Sequence, residues 1–506
     1  MAGKSWTLEQ QSELRLEVGF ESWVTIVLKQ GTAEVRGIEL AANREYTFSG
    51  CNLAVFTWHG CGIETRGVPE TIYQTSRGET TAAAALNAHT YLEARREAAA
   101  RAAARDVVEQ LSSSSSSSSS ERPLKGPRVM VVGPTDSGKS TLCQTLVAYA
   151  ARMGRDPIYV DLDPSLNDCG VPPGGVAALR VEKTFLSVEE GFSSLACAPV
   201  AYWFGYESPS ENEELYRHVV DRLALAVSER VSDDARANAA GVVINTCGWV
   251  DTAGLGVLKH VAASFAVDVV LVLAHDRLYQ DLKAAVPAGV VVANLPRSRG
   301  VVDRNPQHRR RARHNKVHDY FYGPRSRDQS TRQDDGSPGL VAPLAPSTLE
   351  LRFRDVKIFK VLARDAAAVD SMLPVGQGSM LEPLQVVAVP PSTALVHNVL
   401  VVCHQREKGG GPFEAPRPIN QGANPYQYLL DCVRPRDVVS YNNNHHNLNR
   451  PTTCAFTPQA AAGFVVVNNV STDRGTLTIL TPCSGDLPTN NLVLGKIEWM
   501  ENVGGL

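Results

Sequence analysis

The stretch Gly133-Pro134-Thr135-Asp136-Ser137-Gly138-Lys139-Ser140-Thr141 constrains this chain more than any other. Its pattern, G-x-x-x-x-G-K-S, cradles phosphate only where a strand leads into it and a helix leads out. Arg128-Val129-Met130-Val131-Val132 is a β-branched apolar run suited to a buried parallel strand. From Lys139 to Met153, apolar Leu142, Leu146, Val147 and Ala150 recur at helical spacing. Gly133 and Gly138 let the backbone wrap a phosphate, whose charge is met by amide N–H groups and the helix N-terminus. The candidate nucleoside-triphosphate-binding residues here are Gly133, Asp136, Ser137, Gly138, Lys139, Ser140 and Thr141. Lys139 is placed to reach the β- and γ-phosphates, and the Ser140 hydroxyl to ligate Mg²⁺. The plainer alternative is a glycine turn that merely opens a helix.

At 506 residues the chain is long for one core, and three domains are expected. A formal net charge of −3 gives no global basic excess, so any nucleic-acid contact must come from a local patch. Ten cysteines without C-x-x-C pairs argue against zinc and against a disulfide framework. They suit reduced thiols in a nuclear or cytosolic compartment. The first residues do not read as a signal peptide, and no apolar run reaches membrane-spanning length.

The fold class expected is α/β: a central phosphate-loop domain with a mostly parallel sheet, between an N-terminal β-sandwich-like domain and a small C-terminal β-rich domain. Residues 1–111 form the first domain plus a connecting helix over Thr80–Leu111, with Gln30-Gly31-Thr32 as a hairpin-like turn. Residues 112–125, which contain nine serines, read as a linker. The phosphate-loop domain covers 126–327, with further strands near Ile158, Gly241, Val267 and Val290. A polar linker at 328–348 precedes a C-terminal domain at 349–506, interrupted by an expected disordered insertion at about 407–458. That insertion contains His445 and His446, which lack partner ligands at suitable spacing.

In an open α/β sheet the carboxyl ends of the strands face the ligand. Asp161-Leu162-Asp163 lies at one such end, where alternation puts both aspartates on one side of the strand. One suits Mg²⁺ held through water, the other proton acceptance from an attacking hydroxyl; capping or loop aspartates are the alternative. Trp249 follows another strand end and is either a core plug or a stacking surface for a base. Cys247 beside it has no adjacent base to make it a nucleophile. Seven arginines between Arg297 and Arg313 form the densest basic cluster. They suit a solvated helix face, an arginine lid over transferring phosphate, or a nucleic-acid backbone contact.

As an ordered set these motifs resemble the polynucleotide 5′-hydroxyl-kinase family of the pre-mRNA cleavage and polyadenylation machinery. The matching strings include Glu13-Leu14-Arg15, Phe56-Thr57-Trp58-His59-Gly60-Cys61, the loop from Gly126 to Thr141, and Val188-Glu189-Glu190-Gly191-Phe192. They continue through Asn245 to Val250, Gly300 to Arg304, Tyr320-Phe321-Tyr322-Gly323, Asp355 to Ile358 and Gly463 to Val467. Only the serine run and the 407–458 segment stand apart.

The resemblance implies ATP and Mg²⁺ as cofactors, with Glu13 touching the nucleotide from the N-terminal domain. Asn52 stands where the family usually has a basic residue on the adenine side. It also implies Asp163 as general base, which leaves Asp161 of that pair for the metal, Trp249 as the base-stacking clasp, and Arg304 with Arg309 as the lid pair. It implies a nuclear subunit of the 3′-end processing complex, bound to a cleavage factor IA partner that recognises the RNA polymerase II tail, with RNA as a further partner. Kinase-active relatives carry D-x-G-Q after the aspartate, whereas this chain has Asp163-Pro164-Ser165-Leu166-Asn167. The departure favours an ATP-binding scaffold of the fungal type over an active kinase for RNA 5′-hydroxyl ends.

Overall fold

The computed structural model describes residues 3–112, 125–182, 186–192, 199–324, 326–332, 338–341, 344–363, 384–403 and 461–501. Most of the serine linker and the whole 407–458 insertion lie outside the described residues. Two compact units emerge: Met1–Asp163 with Ala178–Leu195 and Ala224–Ala312, and Pro164–Ala177 with Ala196–Leu223 and Arg313–Leu506.

The first unit begins with a β-sandwich. One sheet has the order Lys4–Leu8, Cys61–Gly67, Val24–Gly31, Glu45–Phe48. The other runs Ile38–Glu39, Glu34–Val35, Cys51–Thr57, Ser12–Val18, Thr71–Gln74. Alternation turns Leu14, Leu16, Leu53 and Val55 inward against Val24, Ile26 and Ile63. The expected hairpin at Gln30-Gly31-Thr32 is corrected. The chain leaves the first sheet there, and Glu34–Val35 pairs with Cys51–Thr57 in the second. Gly31 has φ +75, and a Cβ on it would lie 2.2 Å from the Gly60 carbonyl, so the crossover depends on glycine.

The predicted connecting helix spans Ala82–Ser112. Its Arg96, almost fully buried, donates to the Ala240 carbonyl at 2.8 Å, and its Glu93 pairs with Arg155. These contacts fix the helix along the nucleotide-fold part of the unit, satisfying charges that burial would otherwise penalise.

In that part, five consecutive neighbours of the sheet run in the order Ile158–Asp161, Val242–Asn245, Arg128–Val132, Val269–Leu273, Val291–Leu295. Every neighbouring pair is parallel. Arg128–Val132 is first in sequence yet central, so chain order reverses around it and opens a crevice at its carboxyl end. The phosphate loop leaves that end.

The second unit contains a seven-stranded sheet ordered Ser347–Arg352, Thr476–Thr481, Ala461–Ser471, Asn398–Cys403, Asn491–Glu498, Lys357–Ala363, Leu384–Ala388. Its core includes Ile358, Leu400, Val465, Ile479 and Leu492. Within the polar 328–348 stretch, part of Ser326–Arg332 and the strand Pro338–Val341 form an antiparallel ribbon.

Candidate phosphate and metal site

The Arg128–Val132 strand is buried throughout and delivers Gly133 into the loop. A Cβ on Gly133 would lie 2.9 Å from Ser137 Oγ, and Gly138 has φ +91 where it opens the helix Lys139–Arg152. Both glycines keep the loop tight against its own turn. Lys139 Nζ donates to the Pro134 carbonyl at 2.8 Å, drawing the ammonium back over the loop. Burial holds the Lys139 pKa below the usual lysine range, opposed chiefly by the nearby Asp163 carboxylate. Ser137 Oγ is buried with no hydrogen-bond partner among the described residues. Thr141, one residue past Ser140, is exposed.

Asp161 ends its strand fully buried, with Oδ1 accepting from Asn245 Nδ2 at 3.0 Å and from the Asp163 backbone N–H at 3.1 Å. The expectation that both aspartates share one side of a strand is corrected. The strand stops at Asp161, and Asp163 sits in the turn that the Asp161 carboxylate caps. Asp163 still acts electrostatically on both Lys139 and Cys247. Burial, reinforced by Asp163, pushes the Cys247 thiol up to about 11, so it stays protonated at neutral pH.

Asn245 is the residue that sequence reasoning passed over, naming it only as the start of the clasp string. Its amide donates to Ser140 Oγ at 3.1 Å as well as to Asp161. The signal was a polar residue closing the apolar run Val242-Val243-Ile244 at the ligand end of a strand.

The clasp follows directly. A Cβ on Gly248 would lie 2.2 Å from Thr135 Oγ1, so the clasp backbone runs against the phosphate loop. Trp249 is only partly buried, and its Nε1 donates to Asp251 Oδ2 at 2.8 Å. That partial exposure argues against a sealed core plug.

The arginine cluster also reaches the loop. Asp136, in the left-handed region at φ +54, accepts from the Arg304 backbone N–H at 2.9 Å and from the Arg309 guanidinium. Arg309 Nε donates to the Arg304 carbonyl at 3.1 Å. Arg311 pairs with Glu21 and lies over the Phe20 ring, whereas Arg299 and Arg310 are exposed. On the sandwich, Glu13 is buried, held by Arg15 Nε at 2.8 Å and by the Thr80 hydroxyl. Asn52 stands in register with Glu17, so it shares Glu13's face of the sheet about 13 Å farther along it.

These residues fit a magnesium nucleotide. The loop supplies glycine clearance, a helix N-terminus and a lysine for phosphate, while the buried Ser137 Oγ is a polar group awaiting a partner. Ser140 and Asp161 supply oxygen donors of the kind Mg²⁺ takes together with phosphate and water. No cluster of three His, Cys, Asp or Glu side chains able to hold a metal by itself occurs among the described residues.

A family model described as the mRNA cleavage and polyadenylation factor CLP1 P-loop matches residues 133–323. The N-terminal beta-sandwich domain of polyadenylation factor matches 7–99, and the pre-mRNA cleavage complex II protein Clp1 matches 344–420 and 444–501. The chain is 37% identical over 500 residues to the CLP1 homolog of Nematostella vectensis, covering 98% of this chain and 97% of that one. It is 36% identical over 495 residues to the polyribonucleotide 5′-hydroxyl-kinase Clp1 of Gallus gallus, and 35% to that of Homo sapiens, covering 98% of this chain and 96% of each. Among solved structures, a Clp1p–Pcf11p complex matches with TM-score 0.70 at 19% identity, covering 99% of both chains.

Proposed function

Because the chain belongs to the Clp1 family of mRNA cleavage and polyadenylation factors, we propose that it is an ATP- and Mg²⁺-binding subunit of the pre-mRNA 3′-end cleavage complex, working in the nucleus mainly as a scaffold. The solved relative is bound to Pcf11p, and an equivalent cleavage-factor partner, one that recognises the RNA polymerase II tail, is the proposed ligand of this chain.

The observation that carries the scaffold reading is the turn after Asp163. Pro164 to Ala177 contains one carboxamide, Asn167, and it is fully buried. Its Oδ1 accepts from the Cys169 backbone N–H at 2.7 Å, and its Nδ2 donates to the Gly175 carbonyl at 3.4 Å. The group that would stand in for the glutamine of D-x-G-Q is therefore buried and bonded to its own loop. In this reading Lys139, Ser137 and the loop amides hold phosphate, Ser140 and Asp161 face the metal, and Glu13 and Asn52 lie toward the base. Bound Mg²⁺ would neutralise phosphate charge.

A second reading, an RNA 5′-hydroxyl kinase, is favoured by the names of the relatives at 35–36% identity. Asp163 would then take the proton of the attacking hydroxyl, Trp249 would stack the terminal base, and Arg304 with Arg309 would meet charge developing on the phosphoryl oxygens. Phosphoryl transfer depends on positioning, so a rebuilt Asp163 turn alone can cost about a hundredfold in rate.

Two measurements test these readings, the first their shared nucleotide site and the second the choice between them. Calorimetry is expected to give ATP·Mg²⁺ binding that weakens by about 1.5–3 kcal/mol in Lys139→Ala; unchanged binding would remove the phosphate-loop assignment. Transfer of labelled γ-phosphate to a 5′-hydroxyl RNA oligonucleotide is expected to be absent or weak. Robust transfer by the parent that vanishes in Asp163→Asn would replace the scaffold with the kinase.

A further inference from the structure

Asn245 lies in register with Asp161 on one neighbouring strand and Val131 on the other. Residues in register in a parallel sheet share a face, so its side chain stands beside Asp161 at the mouth of the phosphate loop. The residue is fully buried. Its Nδ2 forks to Ser140 Oγ at 3.1 Å and Asp161 Oδ1 at 3.0 Å. A carboxylate oxygen can only accept, which fixes the nitrogen end of the amide toward Asp161. The other end, Oδ1, is buried and has no hydrogen-bond partner among the described residues. An amide with one end unpaired is worse in a core than an apolar side chain of equal size, unless something uses that end.

We propose that Asn245 is the positioning residue of the Mg²⁺ site, an inference that rests on the ATP-binding reading above. Its fork occupies one lone pair of the Ser140 hydroxyl, turning the other toward the metal, and together with the Asp163 N–H it fixes the orientation of the Asp161 carboxylate beside the site. Its Oδ1 accepts a hydrogen bond from a water of the metal's shell, because Mg²⁺ dehydrates reluctantly and keeps several waters. Partners of this kind set the direction of the ligands they touch, and losing one typically costs 10–100-fold in metal affinity. Asn245 is not a phosphate ligand, so nucleotide binding without metal does not depend on it.

The test is ATP binding by calorimetry to the full chain, in Mg²⁺ and in excess EDTA, for the parent, Asn245→Ala and the near-isosteric Asn245→Leu. In EDTA both variants are expected to bind within about twofold of the parent. With Mg²⁺, the tightening seen in the parent is expected to shrink about tenfold or more. Parent-like tightening in both variants would overturn the inference and leave the ATP-binding reading intact. Equal loss with and without metal, or failure of both variants to fold, would make Asn245 a packing residue and overturn it too. A parent that binds no ATP would remove the reading itself, and the inference with it.

Discussion

Arg309 and Asp136 form an ion pair 173 residues apart in sequence, and the same Asp136 oxygen accepts the backbone N–H of Arg304. The acidic residue of the phosphate loop thus holds both arginines of the expected lid, one by its side chain and one by its backbone. The two partners are mostly buried, at 30% and 12% side-chain exposure, so the pair is less screened than a surface one.

Removing the Asp136 carboxylate should release this segment. In Asp136→Ala, amide hydrogens over residues 301–309 are expected to exchange about tenfold faster than in the parent, with the Arg128–Val132 strand unchanged. A charge-assisted bond of about 1.4 kcal/mol corresponds to that factor. Parent-like exchange would mean that the arginines are held by other contacts, such as that of Arg311 with Phe20 and Glu21.

Stability should fall on mild acidification through His89. Burial first, and then the Arg96 and Arg152 charges, hold its pKa below the ordinary histidine range, with Glu93 acting against them. An unfolded histidine titrates near 6.5. Above that value neither state is protonated and no penalty exists. As pH falls through about 6.5 toward the folded value, the unfolded chain binds the proton first, and stability is lost at up to about 1.4 kcal/mol per pH unit. Denaturation between pH 7.5 and 5.5 should show a shallower slope in His89→Gln. An identical slope would assign the effect elsewhere, for example to His308, whose pKa is also lowered by burial.

The five parallel strands were legible because each is a short apolar, β-branched run. The strand Asn491–Glu498 was missed: only part of it is buried, and Gly495 and Lys496 interrupt its pattern. The phosphate loop announced itself locally, since its residues are consecutive. Asn245 and Asp136 did not, because their partners lie 84 to 173 residues away and meet them only through strand order and the return of the lid segment. The Asp161–Asp163 alternation failed for a local reason: the Asp161 side chain captured the Asp163 amide and ended the strand early.

Gly248 joins the clasp to the phosphate loop. A Cβ there would lie 2.2 Å from Thr135 Oγ1 and 2.6 Å from the Thr135 backbone nitrogen. The hydroxyl can rotate away, but the backbone nitrogen cannot, so an alanine must push the phosphate loop or the clasp aside. The Gly248 backbone itself has no positive φ, so the cost is steric. The strand Val242–Asn245 and its neighbours are packed independently of this contact and should keep the fold. Gly248→Ala is therefore expected to weaken ATP·Mg²⁺ binding by about tenfold or more while shifting the thermal midpoint by only a few degrees, as displaced phosphate contacts are charge-assisted and distance-sensitive. Calorimetry and thermal unfolding read the two effects separately. Parent-like affinity in a folded Gly248→Ala protein would mean that the clasp and the phosphate loop move independently, and that Trp249 is not positioned by the nucleotide site.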